Sequence, residues 1–445
     1  MRPRSTLRLL RLRRLLRLTT RFTAGLALAL LSAAPGRGDE ASPRPNLVLI
    51  VIDTLRADHL PFHGYRNTAP FLAELASRSV VFSHAFAPSS WTAPSTASLF
   101  TSLYPEQHGV LSGLLATRKM QEFDASVTLN RIPAPITTLP EFLRECGYHT
   151  FGVSDNLNVS RDLGFDPGFD EFVMFPYAGA DSVDAVLSRW SADIRASEPY
   201  FVYAHYMDPH VPYNRRDPWY EAPAAPRDIP MARYDSEIGF VDSRIRAAFE
   251  RFGWMNDAVV IVTSDHGEEF YDHGHTEHGR TLYQEVVHVP LLIRVPGKDA
   301  ARREGPVSIL DVYPTVRDLL GFAPAAEHEG VSLEPALGAS WTAPRRTLYG
   351  HVRRQVYRGG ETRTSVISYP WKWIRTGDDV VELYDLAADP GEKTNLAERN
   401  ADIVSRLSRE YDSFASGMPA FAPESTRTSL DPETIERLRA LGYVR

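Results

Sequence analysis

At 445 residues, 43% of them hydrophobic and with 28 Gly and 33 Pro, the chain can bury at least one large core and is too long for a minimal domain. Its 49 basic and 56 acidic residues give a net charge of −7; without residues 1–38 the balance becomes 40 against 56, or −16, which argues against nucleic acid as a partner. The single cysteine, Cys146, has no second cysteine to pair with, so no intrachain disulfide forms.

Eight Arg and no acid occupy the first 21 residues, followed by the 13-residue apolar run FTAGLALALLSAA (Phe22 to Ala34). This reads as a signal peptide over residues 1–38, for export to the periplasm or medium, with Gly36-Arg37-Gly38 as a small-x-small cleavage site. The run is shorter than the roughly 20 residues of a spanning helix, so no stable membrane span is expected once the leader is cleaved; uncleaved, it would act as an anchor. NLVLIVI (46–52), a continuous apolar β-branched run ending at Asp53, suits a strand buried on both faces. Further strand-like runs fall at 80–87, 150–154, 200–205, 258–264 and 289–295. Between them lie helix-period segments at 70–77, 139–145, 181–196 and 235–252. The alternation predicts an α/β fold, a mostly parallel sheet flanked by helices, over a catalytic domain at 45–343. After Pro344 short spaced runs predict an antiparallel subdomain at 344–400, followed by a helical tail over 401–445.

Two strand ends carry metal-binding residue types: Asp53, and Asp265-His266 in TSDHGEEF. A carboxylate at a strand end is most often a cap or turn former. Two such ends with an adjacent His point instead to a divalent cation, which needs convergent O and N donors. In SSWTAPSTASLFTS, Pro94 suits the first turn of a helix and places Thr92 and Ala93 at or just before its N-cap. There the Thr92 hydroxyl is either a plain cap or a nucleophile: the helix N-terminus favours a phosphate or sulfate, and metal coordination would lower the hydroxyl pKa.

The sequence resembles the sulfatase family of the alkaline phosphatase superfamily. NLVLIVIDTLRADHLPFHGY is similar to its first metal-binding strand and turn, WTAPSTASLFTSLYPEQHGV to its nucleophile helix, and YMDPHVPY to its P-H-x-P segment. TSDHGEEFYDHGHTEHGRTLYQEVVHVPLLIRVPG is similar to its second metal segment and ELYDLAADPGEKTNL to its C-terminal signature; the resemblance runs in order from about residue 45 to 400. It implies a metal held by Asp53, Thr92, Asp265 and His266, with His210 and His278 on the substrate or its leaving group, or on a second ion. Arg280 would clamp a non-bridging oxygen. Asp208 is the nearest candidate for a second-metal carboxylate, and Arg56 is as suited to a structural ion pair as to a substrate contact.

The departures from that pattern carry information. The family's nucleophile motif starts with Cys or Ser, which is oxidised to formylglycine, and continues x-Pro-Ser-Arg; here Thr92 stands first and Thr96 replaces the Arg. Threonine cannot become an aldehyde by that route. The paired Asp-Asp is Asp53-Thr54, Asp-Asn is Asp265-His266, G-K-x-H is replaced by VSDNLN, and a later Lys is Arg280. Less charge and one imidazole favour Zn²⁺ or Mn²⁺ over Ca²⁺. The quartet resembles that of the superfamily's threonine-nucleophile branches, which transfer phosphoryl groups. Three functions follow: a metal-dependent hydrolase or transferase of phosphate esters on small-molecule, glycan or lipid substrates; a true sulfatase using unmodified Thr92; or an inactive sulfatase-shaped binding protein. The loops at 111–135 and 214–231 are expected to set specificity.

Overall fold

The computed structural model describes residues 44–354, 360–427, 430 and 432–440; the leader lies outside them. Strand β1 (Asn46–Ile52) is buried along its whole length. Leu47, Leu49 and Val51 face one core while Val48, Ile50 and Ile52 face another. Each large aliphatic side chain so buried contributes about 1.5–3 kcal/mol, so the period-2 alternation fixes the strand between two helical layers.

The other strands follow in chain order: β2 (Val80–Phe86), β3 (Leu129–Arg131), β4 (His149–Ser154), β5 (Glu171–Met174), β6 (Tyr200–Tyr206), β7 (Ala258–Thr263), β8 (Glu269–Phe270), β9 (Thr276–Glu277), β10 (His288–Arg294) and β11 (Ala301–Ser308). Among the described residues the central sheet has eight strands in the order β11-β2-β10-β7-β1-β6-β4-β5. Seven run parallel, and β10 runs against its neighbours β2 and β7. β8 and β9 form a separate hairpin.

Helices α1 (Pro70–Ala76), α2 (Thr92–Thr101), α3 (Ala180–Arg189) and α4 (Ile229–Phe252) cover the sheet. α1, α3 and α4 pack against the core of Val48 and Ile50, α2 against that of Leu47 and Leu49. Four antiparallel strands follow: β12 (Leu348–Val352), β13 (Arg363–Ser368), β14 (Trp371–Thr376) and β15 (Val380–Asp385). Leu348, Ile367 and Ile374 share a core with Phe86, Leu282 and Val286, which joins this sheet to β2 and to the chain between β9 and β10. A helix over Pro432–Ala440 places Leu438 in the core under α2. The expected α/β architecture with a smaller antiparallel sheet is the one observed.

Candidate active site

Four neighbouring parallel strands, β7, β1, β6 and β4, deliver polar residues at their carboxyl ends, where open α/β sheets bind ligands. Asp53 follows β1, and its N–H donates to the Tyr206 carbonyl at 2.9 Å. Asp265 and His266 follow β7. His205 is the penultimate residue of β6, in register with Val51 on one side and Ser154 on the other. Asn156 lies two residues past β4. All five are essentially inaccessible to solvent.

Thr92 joins them from α2. The expected N-cap role is corrected: the helix starts at Thr92 itself, Trp91 occupies the cap position, and no side chain caps it. The Thr92 hydroxyl oxygen instead lies 3.2 Å from His266 Nε2 and 3.5 Å from Asp53 Oδ2, with Asn156 Nδ2 also at 3.5 Å. Ser95, one turn on, donates to the Asp265 carbonyl at 2.5 Å and pins the helix to β7. Buried His108 accepts from the Val110 N–H at Nδ1, so its Nε2–H donates to Ser98 Oγ at 3.0 Å.

The donor set fits a divalent cation. One atom each from Asp53, His205 and Asp265 lies within 4.8 Å of the others. Asp53 Oδ1 and Asp265 Oδ2 are buried without a hydrogen-bond partner, an arrangement that is costly unless a cation fills it. Burial and the neighbouring Asp53 push the Asp265 carboxyl up to about 6, as expected where two acids share a site. Burial opposes ionisation of Asp53 too, but the hydrogen bond from His205 and the charges of His210 and His266 hold it below the usual carboxylate range. Burial pulls His266 down, yet Asp265 and Asp53 outweigh it and raise the imidazole. His266 Nε2 is 3.5 Å from Asp265 Oδ2 and 3.8 Å from Asp53 Oδ1, within reach of the same ion.

A small cavity of about 70 Å³ opens over Thr92, walled by Trp91, Lys119, Tyr177, His210, Glu277 and His278 among others. The rings of His266 and His278 are 4.4 Å apart and those of His210 and His278 4.9 Å. Glu268, fully buried and raised to about 7 by that burial, holds His278 Nδ1 at 3.0 Å. Gly279 must stay glycine: its φ is +76°, and a Cβ would meet the Trp91 ring at 2.6 Å. Arg280 is not among the residues lining this cavity; Lys119 is, and it stands on a helix over Leu114–Gln121, so the segment 111–135 expected as a loop is partly helical and also carries β3. Asp208 accepts from the Ala180 N–H and from Arg216, away from the cation cluster. Arg56 is clasped between Asp58 and Asp272, a structural role. His273 bonds Glu285 and the Glu392 carbonyl, and His275 does not line the cavity.

His205 and Asn156 escaped the sequence reading. Asn156 Nδ2 donates to Asp53 Oδ2 at 2.6 Å, and His205 Nε2 lies 3.2 Å from the same oxygen. The available signal was a polar residue at the carboxyl end of each apolar run beside NLVLIVID.

The family model described as Sulfatase matches residues 45–322, and that of N-sulphoglucosamine sulphohydrolase, C-terminal, matches 271–415. The chain belongs to the sulfatase family. Sulfatases of this family and their structural neighbours are ester hydrolases, and so is this protein. A sulfatase of Formosa agariphila is 23% identical, with 85% of this chain and 88% of that one aligned. The Delta 4,5-hexuronate-2-O-sulfatase of Bacteroides thetaiotaomicron is 24% identical over 84% and 87%. The solved phosphonate monoester hydrolase of Agrobacterium radiobacter shares the fold, with TM-score 0.66, 20% identity, and coverage of 86% and 100%. Among the described residues of this sulfatase-family chain no helix is long and apolar enough to cross a membrane.

Proposed function

We propose that this protein is an exported, metal-dependent hydrolase of phosphate esters that uses the unmodified Thr92 hydroxyl as its nucleophile. The observation that carries the reading is the placement of Thr92 Oγ1, released from helix capping and held 3.2 Å from His266 Nε2 beside Asp53. Asp53, Asp265, His266 and Thr92 would hold one divalent ion, with His205 as a further donor, and the mixed oxygen and imidazole set favours Zn²⁺ or Mn²⁺. Such an ion supplies Lewis-acid polarisation and lowers the pKa of a bound hydroxyl.

The protein's own residues account for the rest of the turnover. Thr92 Oγ, its proton released to solvent, attacks phosphorus as the bond to the ester oxygen breaks. His278, fixed by Glu268, gives a proton to the departing oxygen, with neutral His210 beside it accepting a hydrogen bond at Nε2. Burial lowers His210, despite the pull of Asp53, so it rests neutral near pH 7. Lys119 balances charge on a non-bridging oxygen from the cavity wall, with Arg280 acting at longer range. Water then cleaves the phosphothreonine and returns the proton to Thr92. An esterified threonine releases sulfate with difficulty because no aldehyde hydrate is present to expel it, which ranks phosphate above sulfate.

The test is purified protein loaded with Zn²⁺, Mn²⁺ or Ca²⁺ and assayed on aryl phosphate, phosphodiester, phosphonate and sulfate esters. Phosphoryl turnover that disappears in Thr92→Ala is expected. Faster turnover of sulfate than of every phosphoryl ester, or full activity in Thr92→Ala, would overturn the proposal.

A further inference from the structure

The Thr92 cavity shares two walls, Val211 and Glu277, with a much larger one of about 880 Å³. That cavity lies between residues 226–231, which include the first turn of α4, and the β8–β9 hairpin. Its apolar surface comes from Tyr213, Met231, Phe270 and Tyr271. The Tyr213 and Phe270 rings pack 5.2 Å apart, and Tyr234 supports Phe270 from behind at 5.1 Å, so this wall is rigid. Tyr271, by contrast, is 67% exposed, an uncommon state for so large a ring. Both Tyr271 (φ 65°) and Glu277 (φ 67°) are held in the left-handed region that side chains disfavour, a strain that concentrates at binding sites.

The charges around this cavity decide what it does not take. Arg227 at the lip is paired with Asp228 at 3.5 Å, and Glu277 adds a further negative charge. A polysulfated or polyphosphorylated sugar would meet no net positive charge there. Size, aromatic walls and sparse polar groups match a site for an uncharged organic ligand.

We infer that this cavity holds the leaving group of the ester cleaved at Thr92, and that this group is an uncharged polycyclic phenol or alcohol. The inference rests on the reading of Thr92 as the attacking residue. An ester of that kind places its phosphoryl group over Thr92 and its ring system past Val211 and Glu277, so the hydrolysed product is the free polycyclic alcohol.

Phenyl and 2-naphthyl esters, in both the phosphate and the sulfate series, provide the test, because their leaving oxygens have nearly equal acidity and differ only in the second ring. On whichever ester is turned over, kcat/KM for naphthyl is expected to exceed that for phenyl by roughly tenfold or more, the scale set by burying four added ring carbons. Met231→Glu and Tyr271→Ala should bring the ratio toward one. Direct binding of 2-naphthol to the Thr92→Ala protein, read by its fluorescence, separates the two ideas: binding that is weakened at least fivefold by Met231→Glu supports the cavity assignment even if no ester is hydrolysed. A naphthyl to phenyl ratio near one, or a ratio unmoved by both substitutions, overturns the inference whatever the reaction proves to be, as does the absence of naphthol binding.

Discussion

Replacing Asn156 with Ala is expected to lower kcat/KM about ten- to a hundredfold. Its amide donates to Asp53 Oδ2 at 2.6 Å and lies 3.5 Å from the Thr92 hydroxyl, in a position that solvent does not reach. A hydrogen bond to a charged group is worth about 1.5–3 kcal/mol, and water cannot replace this one without opening the packing around Met207, whose sulfur lies 3.3 Å from the same nitrogen. At about 1.4 kcal/mol per factor of ten, the loss is one to two decades. The Asn156 side chain also accepts from the Asn158 N–H at 2.8 Å, so Asn156→Asp keeps this turn bond while setting a second carboxylate against Asp53, and should cost more than Asn156→Ala. Steady-state kinetics should be measured on the ester that the parent protein hydrolyses, with metal content and thermal unfolding read on the same samples. If Asn156→Ala stays within about twofold of the parent at unchanged metal content, the argument that this amide tunes Asp53 and Thr92 is wrong.

Thr92→Ala should lose at least about 10⁴ in kcat while retaining most of its metal by elemental analysis, because the four other proposed donors, Asp53, His205, Asp265 and His266, remain; metal lost in parallel with activity would contradict this. His108 is pressed down to about 3 by burial and accepts an N–H at Nδ1, so the folded protein refuses a proton that the unfolded chain binds near pH 6.5. Its contribution to stability is therefore complete above pH 6.5 and declines as pH falls toward 3, by about 2–3 kcal/mol at pH 4.5; urea unfolding of His108→Gln should show a shallower acid slope by one proton. Lys372 and Glu392 form a fully buried ion pair at 2.9 Å. Lys372→Met is expected to cost about 3–5 kcal/mol by stranding the carboxylate, and adding Glu392→Gln should recover part of that in the urea midpoint.

The central strands were legible because burial on both faces leaves continuous apolar runs: β1 occupies the residues that its sequence predicts. The two strands of the central sheet that the sequence does not announce, β5 and β11, are its two edges. β5 (EFVM) is mostly half-buried and β11 begins ARREG, so solvent on one side dilutes the pattern that sequence reading depends on. The same logic applies to the site. Asp53 and Asp265-His266 stand out because each ends an uninterrupted run. His205 and Asn156 matter through lateral registry between β1, β6 and β4, which only strand pairing reveals. Thr92 was recognised as a reactive candidate but placed one position off in its helix, since Trp91 takes the cap position.

Arg363 on β13 and Glu392 and Lys393 beyond β15 reach back to the segment that carries His273 and His278 at several points. Glu392 accepts from the Gln284 N–H at 2.6 Å and offers its carbonyl to His273, Lys393 donates to the Asp272 carbonyl at 2.6 Å, and Arg363 donates to the Arg280 carbonyl at 2.7 Å. These contacts bracket His278 on both sides, and all come from residues that leave the ribosome more than eighty positions later. Since chains fold as they are synthesised, N-terminal portions first, the strand ends carrying Asp53, Asn156, His205 and Asp265 can assemble early while the loop bearing His278 waits for its clasp. A nascent or truncated chain ending before residue 363 would carry the proposed cation ligands without the contacts that clasp the loop around His278, the proposed leaving-group histidine, so hydrolysis is expected only once that clasp is made.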